Sequence, residues 1–119
     1  LNRTKDKAES AAALADRQGR VGDLYDLGGV DLVVDATPAG MAGQPDLPFD
    51  PSVLTHHQVV ADLVYHPAET PLVAAAKARG ITAVNGLGML VHQAAIQFEL
   101  VTGIDAPLST MWTAASASP

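Results

Sequence analysis

The feature that most constrains this chain is its alternation of short apolar runs with breaks made of glycine, proline and small residues. Asp31-Leu32-Val33-Val34-Asp35 runs into Ala36-Thr37-Pro38, Val59-Val60-Ala61-Asp62-Leu63-Val64-Tyr65 is stopped by His66-Pro67, and Ile81-Thr82-Ala83-Val84 breaks at Asn85-Gly86. Short β-branched runs bounded in this way predict strands, and continuous apolar runs suit parallel strands covered on both faces. Thr70-Pro71 supplies an N-cap followed by proline at the first helical position, so a helix is expected to about Arg79, ending at Gly80. Beyond Gly86 and Gly88 an apolar, helix-periodic segment continues to about Val101. Pro45, Pro48 and Pro51 mark a loop, with a short helical turn near Val53 and Leu54. This order predicts an α/β fold with a parallel sheet, flanking helices and right-handed crossovers.

In open α/β sheets ligands sit at the carboxyl ends of the strands, which directs attention to Ala36, Thr37 and Pro38 and to the glycine turn at Gly86. Gly86-Leu87-Gly88 is not a phosphate-binding fingerprint, because the position three beyond Gly88 is Val91. The amino end carries a different signal. Thr4 is a plausible N-cap for a helix from about Lys5 to Arg17, with Ala8, Ala11, Ala12 and Leu14 inward and Gly19 as its stop. Arg3, Lys5 and Lys7 are three of only seven Lys and Arg in the chain. Cations at a helix amino terminus oppose its dipole, costing up to roughly 1 kcal/mol each. A bound phosphate reverses the sign of each of these interactions. At the end of the second strand of a dinucleotide-binding sheet, a carboxylate selects the free ribose hydroxyl and Arg accommodates a 2′-phosphate. Asn2-Arg3-Thr4 contains no carboxylate, which reads as NADP over NAD. The competing reading is a solvated basic helix start.

Composition narrows the classes further. The 119 residues fit one domain, 48% hydrophobic and 17% charged, which describes a globular chain. Residues 1–113 are assigned to that domain and 114–119 to a loose tail. A net charge of −6 argues against nucleic acid. No apolar run approaches the roughly 20 residues of a membrane span. The absence of cysteine fits a reducing cytoplasm and removes thiolate chemistry. His56, His57, His66 and His92 have no metal-ligand spacing, and no serine sits in a G-x-S-x-G elbow.

Five blocks together carry a family resemblance: Asn2-Arg3-Thr4, Asp35 through Met41, Asp62 through Pro67, Thr70-Pro71-Leu72 and Asn85 through Gln93. In this order and spacing, from the first residue to about Pro107, they resemble the carboxyl-terminal NADP-binding half of shikimate dehydrogenase. The resemblance implies reversible NADPH-linked reduction of 3-dehydroshikimate to shikimate, in the pathway to chorismate and the aromatic amino acids. It gives Asn2, Arg3 and Thr4 the adenosine 2′-phosphate, with Lys7 assisting. Ala36, Thr37 and Pro38 would line the cofactor, Leu63 and Met89 would supply an apolar surface near the nicotinamide, and Gly86 would offer it backbone. Tyr65 and Gln93 match positions that reach the substrate. The family's catalytic Lys and Asp belong to an amino-terminal domain with no counterpart here, so no catalytic residue is assigned within these 119. The glycine-rich loop and first strand of the Rossmann-like sheet are also unmatched. The expectation is therefore a partial Rossmann-like sheet from a longer enzyme, inactive alone and partnered by its missing amino-terminal domain, with a homodimer as a further option. Two alternatives stay open: a quinate/shikimate dehydrogenase relative, and a non-catalytic nucleotide- or partner-binding module.

Overall fold

A computed structural model describes residues 1–117. Helix α1 (Lys5–Ala13) is followed by strand β1 (Leu32–Asp35), strand β2 (Val59–Asp62), helix α2 (Pro71–Ala78), strand β3 (Thr82–Val84), helix α3 (Leu87–Thr102) and helix α4 (Leu108–Ala117). Short 3-10 turns cover Asp16–Gln18, Leu24–Gly29 and Pro51–Val53. The strands form one parallel sheet in the order β1-β2-β3, with Val33 opposite Val60 and Val60 opposite Ala83.

The core lies on one face of this sheet. Val33 and Val60 point into it and meet Leu72 and Ala76 of α2, with Leu27, Leu54 and Ile81 closing the sides. The opposite face carries Leu32, Val34, Val59 and Val84, all exposed. The expected coverage of both faces is thus corrected: β1 alternates exposed and buried, and α2 packs on one side only. β1 is also an edge, paired with β2 alone.

Polar groups fix the connections. Gln58 is buried, and its amide donates to the carbonyls of Leu27 (2.5 Å) and Val30 (2.7 Å) while its oxygen accepts from Thr55 N (2.8 Å). One side chain thereby ties two loops to the amino end of β2. Thr70 caps α2 by accepting from Val73 N, and Pro71 occupies the first helical position, as the sequence predicts. The helix closes with Gly80 N donating to Lys77 O and Ile81 N to Ala76 O, the paired bonds of a left-handed glycine terminus; Gly80 has φ +74°.

Two helical boundaries depart from expectation. α1 stops at Ala13, because Asp16 takes a left-handed φ of +51° and the chain turns before reaching Gly19. Of the four residues expected inward, Ala8 is buried and Leu14 is 91% exposed. At the other end, residues 114–117 extend α4 instead of forming a loose tail, while residues 118–119 lie outside the described residues. No helix is long and apolar enough to cross a membrane among the described residues.

Candidate functional site

The carboxyl ends of β1 and β2 open into a cleft of about 530 Å³ lined by Ala36, Thr37, Pro38, Met41, Ala42, Leu63, Val64, Tyr65 and His66. Its position follows from the ladder: Leu63 N donates to Asp35 O (2.9 Å), so the two chains leave the sheet side by side. The turn after β1 is shaped by local side-chain acceptors. Asp35 Oδ1 accepts from Thr37 N (2.9 Å), and Thr37 Oγ1 accepts from Ala39 N (3.2 Å). The loop then passes close to the start of α2 through Gly40, whose φ is +86° and where a Cβ would lie 3.2 Å from Thr70 Cβ. A side chain there would be both strained and crowded.

The turn after β2 is held from beneath by Asp62, which is 1% exposed. Its Oδ1 accepts from Val64 N (2.9 Å) and its Oδ2 from Thr70 Oγ1 (2.5 Å). Asn85 ties the wall together, donating to Ala68 O (2.8 Å) and accepting from Leu87 N (3.2 Å). Gly86 N donates to Val64 O (3.0 Å). Gly86 packs so tightly on the backbone of Leu63 that a Cβ would overlap its carbonyl group. The glycine turn therefore serves close packing of backbone on backbone behind Leu63.

The structure brings Ala36, Thr37, Pro38, Leu63 and Tyr65 into one cleft, with Gly86 directly behind Leu63. Met89 and Gln93 are exposed on α3 and are not among the cleft's lining residues. Asn2, Arg3, Thr4 and Lys7 are exposed around the start of α1, with Asn2 Oδ1 accepting from Thr4 N (2.9 Å). Thr4 has the extended backbone of an N-cap but makes no side-chain cap bond. Among the described residues Lys5 pairs with Glu9 (3.6 Å), whereas Arg3 and Lys7 form no salt bridge. Met41, Ala42, Val64 and His66 join the lining without having been given a site role from the sequence. Met41, Val64 and His66 lie within the motif blocks and Ala42 adjoins one, which was the available signal.

The cleft is mostly apolar, with the Thr37 and Tyr65 hydroxyls and the His66 ring as its side-chain polar groups. It contains no Lys, Arg, Asp or Glu among the described residues. Such a surface can hold a flat ring, orient polar substituents and exclude water, but it carries no strong acid or base.

Parallel strands with flanking helices, opening into a cleft at their carboxyl ends, define an α/β domain of the Rossmann-like type. A family model described as the shikimate 5'-dehydrogenase C-terminal domain matches residues 86–115. The NADP(+) shikimate dehydrogenase of Archaeoglobus fulgidus is 44% identical over 123 residues, covering 96% of this chain and 45% of that protein. Among solved structures, shikimate 5-dehydrogenase from Thermus thermophilus in complex with NADP(H) and shikimate superposes with TM-score 0.86 at 32% identity, covering 97% of this chain and 43% of that one. Quinate dehydrogenase from Corynebacterium glutamicum in complex with NAD gives 0.85 at 35%, covering 95% and 43%. The chain is similar over nearly its whole length to the carboxyl-terminal part of shikimate dehydrogenases. It spans less than half the length of these relatives.

Proposed function

We propose that this chain is the cofactor-binding part of an NADP-dependent shikimate dehydrogenase, which interconverts 3-dehydroshikimate and shikimate. The observation that carries the reading is the apolar cleft at the ends of β1 and β2, built from residues of the family's motifs. NADPH, when bound, supplies the hydride. The protein's part is to shape and dry the site. Thr37 and Pro38 form one side of the cofactor path, Leu63 presents an apolar surface to the nicotinamide, and Gly86 behind it fixes the depth of that surface. Tyr65 offers a hydroxyl to the substrate, while Met89 for the nicotinamide and Gln93 for the substrate rest on the family resemblance alone, since both lie outside the cleft lining. Arg3, assisted by Asn2, Thr4 and Lys7, holds the adenosine 2′-phosphate by charge-assisted hydrogen bonds. The cleft lining holds the His66 ring but no Lys, Asp or Glu, and proton transfer is assigned to a catalytic domain outside these residues, as the family resemblance implies. The chain is accordingly inactive by itself and works in the cytoplasm as part of the larger protein.

A second reading is favoured by the likeness to the quinate dehydrogenase in complex with NAD: a quinate-active relative with a different cofactor. The absence of a carboxylate at Asn2-Arg3-Thr4 stands against it. The exposed apolar face of the sheet also leaves room for a homodimer, which sedimentation would reveal. Titration with NADPH and NADH, followed by nicotinamide fluorescence, tests the cofactor reading. Tighter binding of NADPH is expected, and equal affinities would overturn the assignment.

A further inference from the structure

The chemistry proposed for the cleft leaves two buried carboxyl groups unused, Asp35 and Asp62. Asp35, at the end of β1, is 4% exposed, and its Oδ2 is buried without a hydrogen-bond partner. Its register partner on β2 is Asp62, 1% exposed and on the same face of the sheet. Both Asp62 oxygens accept hydrogen bonds, from Val64 N and Thr70 Oγ1. Among the described residues no cation forms a salt bridge with either carboxylate. The only charged side chain on α2 is Lys77, turned outward to Glu69 at 3.0 Å, and residues 36–45 carry no charge. A negative charge on Asp35 would therefore be unsolvated, unpaired and beside another carboxylate, the arrangement in which one of two acids retains its proton.

We propose that Asp35 is a neutral carboxylic acid in the folded protein, with its proton on Oδ2, and that in this form it is a positioning residue for the cleft. Its Oδ1 holds Thr37 N at 2.9 Å, setting the turn through Ala36, Thr37 and Pro38, while neutral Oδ2 allows the side chain to stay under the sheet. Ionisation draws the side chain toward water and withdraws the acceptor from Thr37. In the same direction, burial pushes the Asp35 carboxyl above its ordinary value of 3.8, and the Asp62 charge adds to this against the opposing pull of Thr37. The sign follows. Folded Asp35 keeps a proton that the unfolded chain has released, so stability falls as pH rises above 3.8 and the loss is complete once folded Asp35 has ionised. The link to cofactor rests on the function proposed above, whereas the location of the proton does not.

Asp35→Asn separates these claims, because the amide keeps an oxygen for Thr37 N and cannot ionise. The expected result is a wild-type melting midpoint that drops by several degrees relative to Asp35→Asn as pH rises above 3.8, and that levels off once folded Asp35 has ionised. Identical pH dependence in the two proteins would overturn the proposal. If Asp35→Asn does not fold, carbon-13 titration of the wild-type carboxyls decides: an Asp35 that loses its proton at higher pH than the exposed aspartates supports the proposal, and one that ionises with them or before them refutes it. NADPH titrations over the same range then test positioning. Affinity that weakens with pH more in wild type than in Asp35→Asn supports it, and parallel curves overturn that half alone. If neither protein binds NADPH, the cofactor reading fails and the positioning role falls with it, while the melting and carbon-13 results still locate the proton.

Discussion

Gly86 and Gly88 stand two residues apart in one turn, yet the structure predicts opposite outcomes when each becomes alanine. At Gly86 the backbone is ordinary for any residue (φ −76°, ψ −3°), so alanine brings no conformational strain. The difficulty is space. The new Cβ would overlap the carbonyl of Leu63 and lie 3.0 Å from its Cα, and backbone cannot rotate aside as a side-chain tip does. Leu63 is pinned by its N–H bond to Asp35 O (2.9 Å), and the adjoining Val64 O accepts from Gly86 N (3.0 Å). Relief requires loss of such a bond, about 0.5–1.5 kcal/mol, in addition to an overpacking term of about 1–3 kcal/mol. Gly86→Ala should therefore destabilise the chain by roughly 2–4 kcal/mol. Gly88 lies inside α3, where a Cβ would meet only the Trp112 ring at 3.6 Å, an ordinary contact. Gly88→Ala should stabilise by up to about 1 kcal/mol through helix propensity. Urea unfolding followed by circular dichroism measures both, provided the m-value is unchanged. Gly86→Ala as stable as wild type would refute the argument that Leu63 and Gly86 are locked together.

Three further substitutions probe the scaffold. Gln58→Leu leaves Leu27 O, Val30 O and Thr55 N without their partner, and should cost about 3 kcal/mol in the same assay; a loss under about 1 kcal/mol would show that water replaces the amide. Thr70→Val removes both the donor to Asp62 Oδ2 and the α2 cap, so a loss of about 2–4 kcal/mol is expected, and a neutral result would contradict the buried pairing. Val34 is half exposed on the open face of edge strand β1, so Val34→Lys should change stability by less than about 0.5 kcal/mol while reducing self-association in light scattering. Unchanged scattering would show that this face is not the adhesive one.

The strands were legible in the sequence because β-branched runs between proline and glycine breaks have few other folds, and α2 because Thr70-Pro71 and Gly80 mark both ends. Burial was less legible. Leu32 and Val34 are as apolar as Val33, and only packing reveals that α2 covers one face. The left-handed turn at Asp16 is equally silent in a run of good helix formers. At the site, Thr37, Leu63 and Tyr65 could be located because strand ends are where α/β sheets bind ligands. Met89 and Gln93 share a helix face by spacing, but spacing cannot say where that face points. Gln58 had no signal at all, because its partners at Leu27 and Val30 are distant in sequence, and Asp35, though within a motif block, gave no sign that one of its oxygens would be buried without a partner.

Parallel titrations of NADPH and NADH into wild type and Arg3→Ala test whether the amino-terminal basic cluster reads the cofactor's 2′-phosphate while the cleft at the strand ends receives the nicotinamide. Loss of the Arg3 contact should weaken NADPH binding by about 1.5–3 kcal/mol, the range for a hydrogen bond to a charged group, and leave NADH binding unchanged. Equal weakening of both nucleotides, or no change in either, would contradict the account.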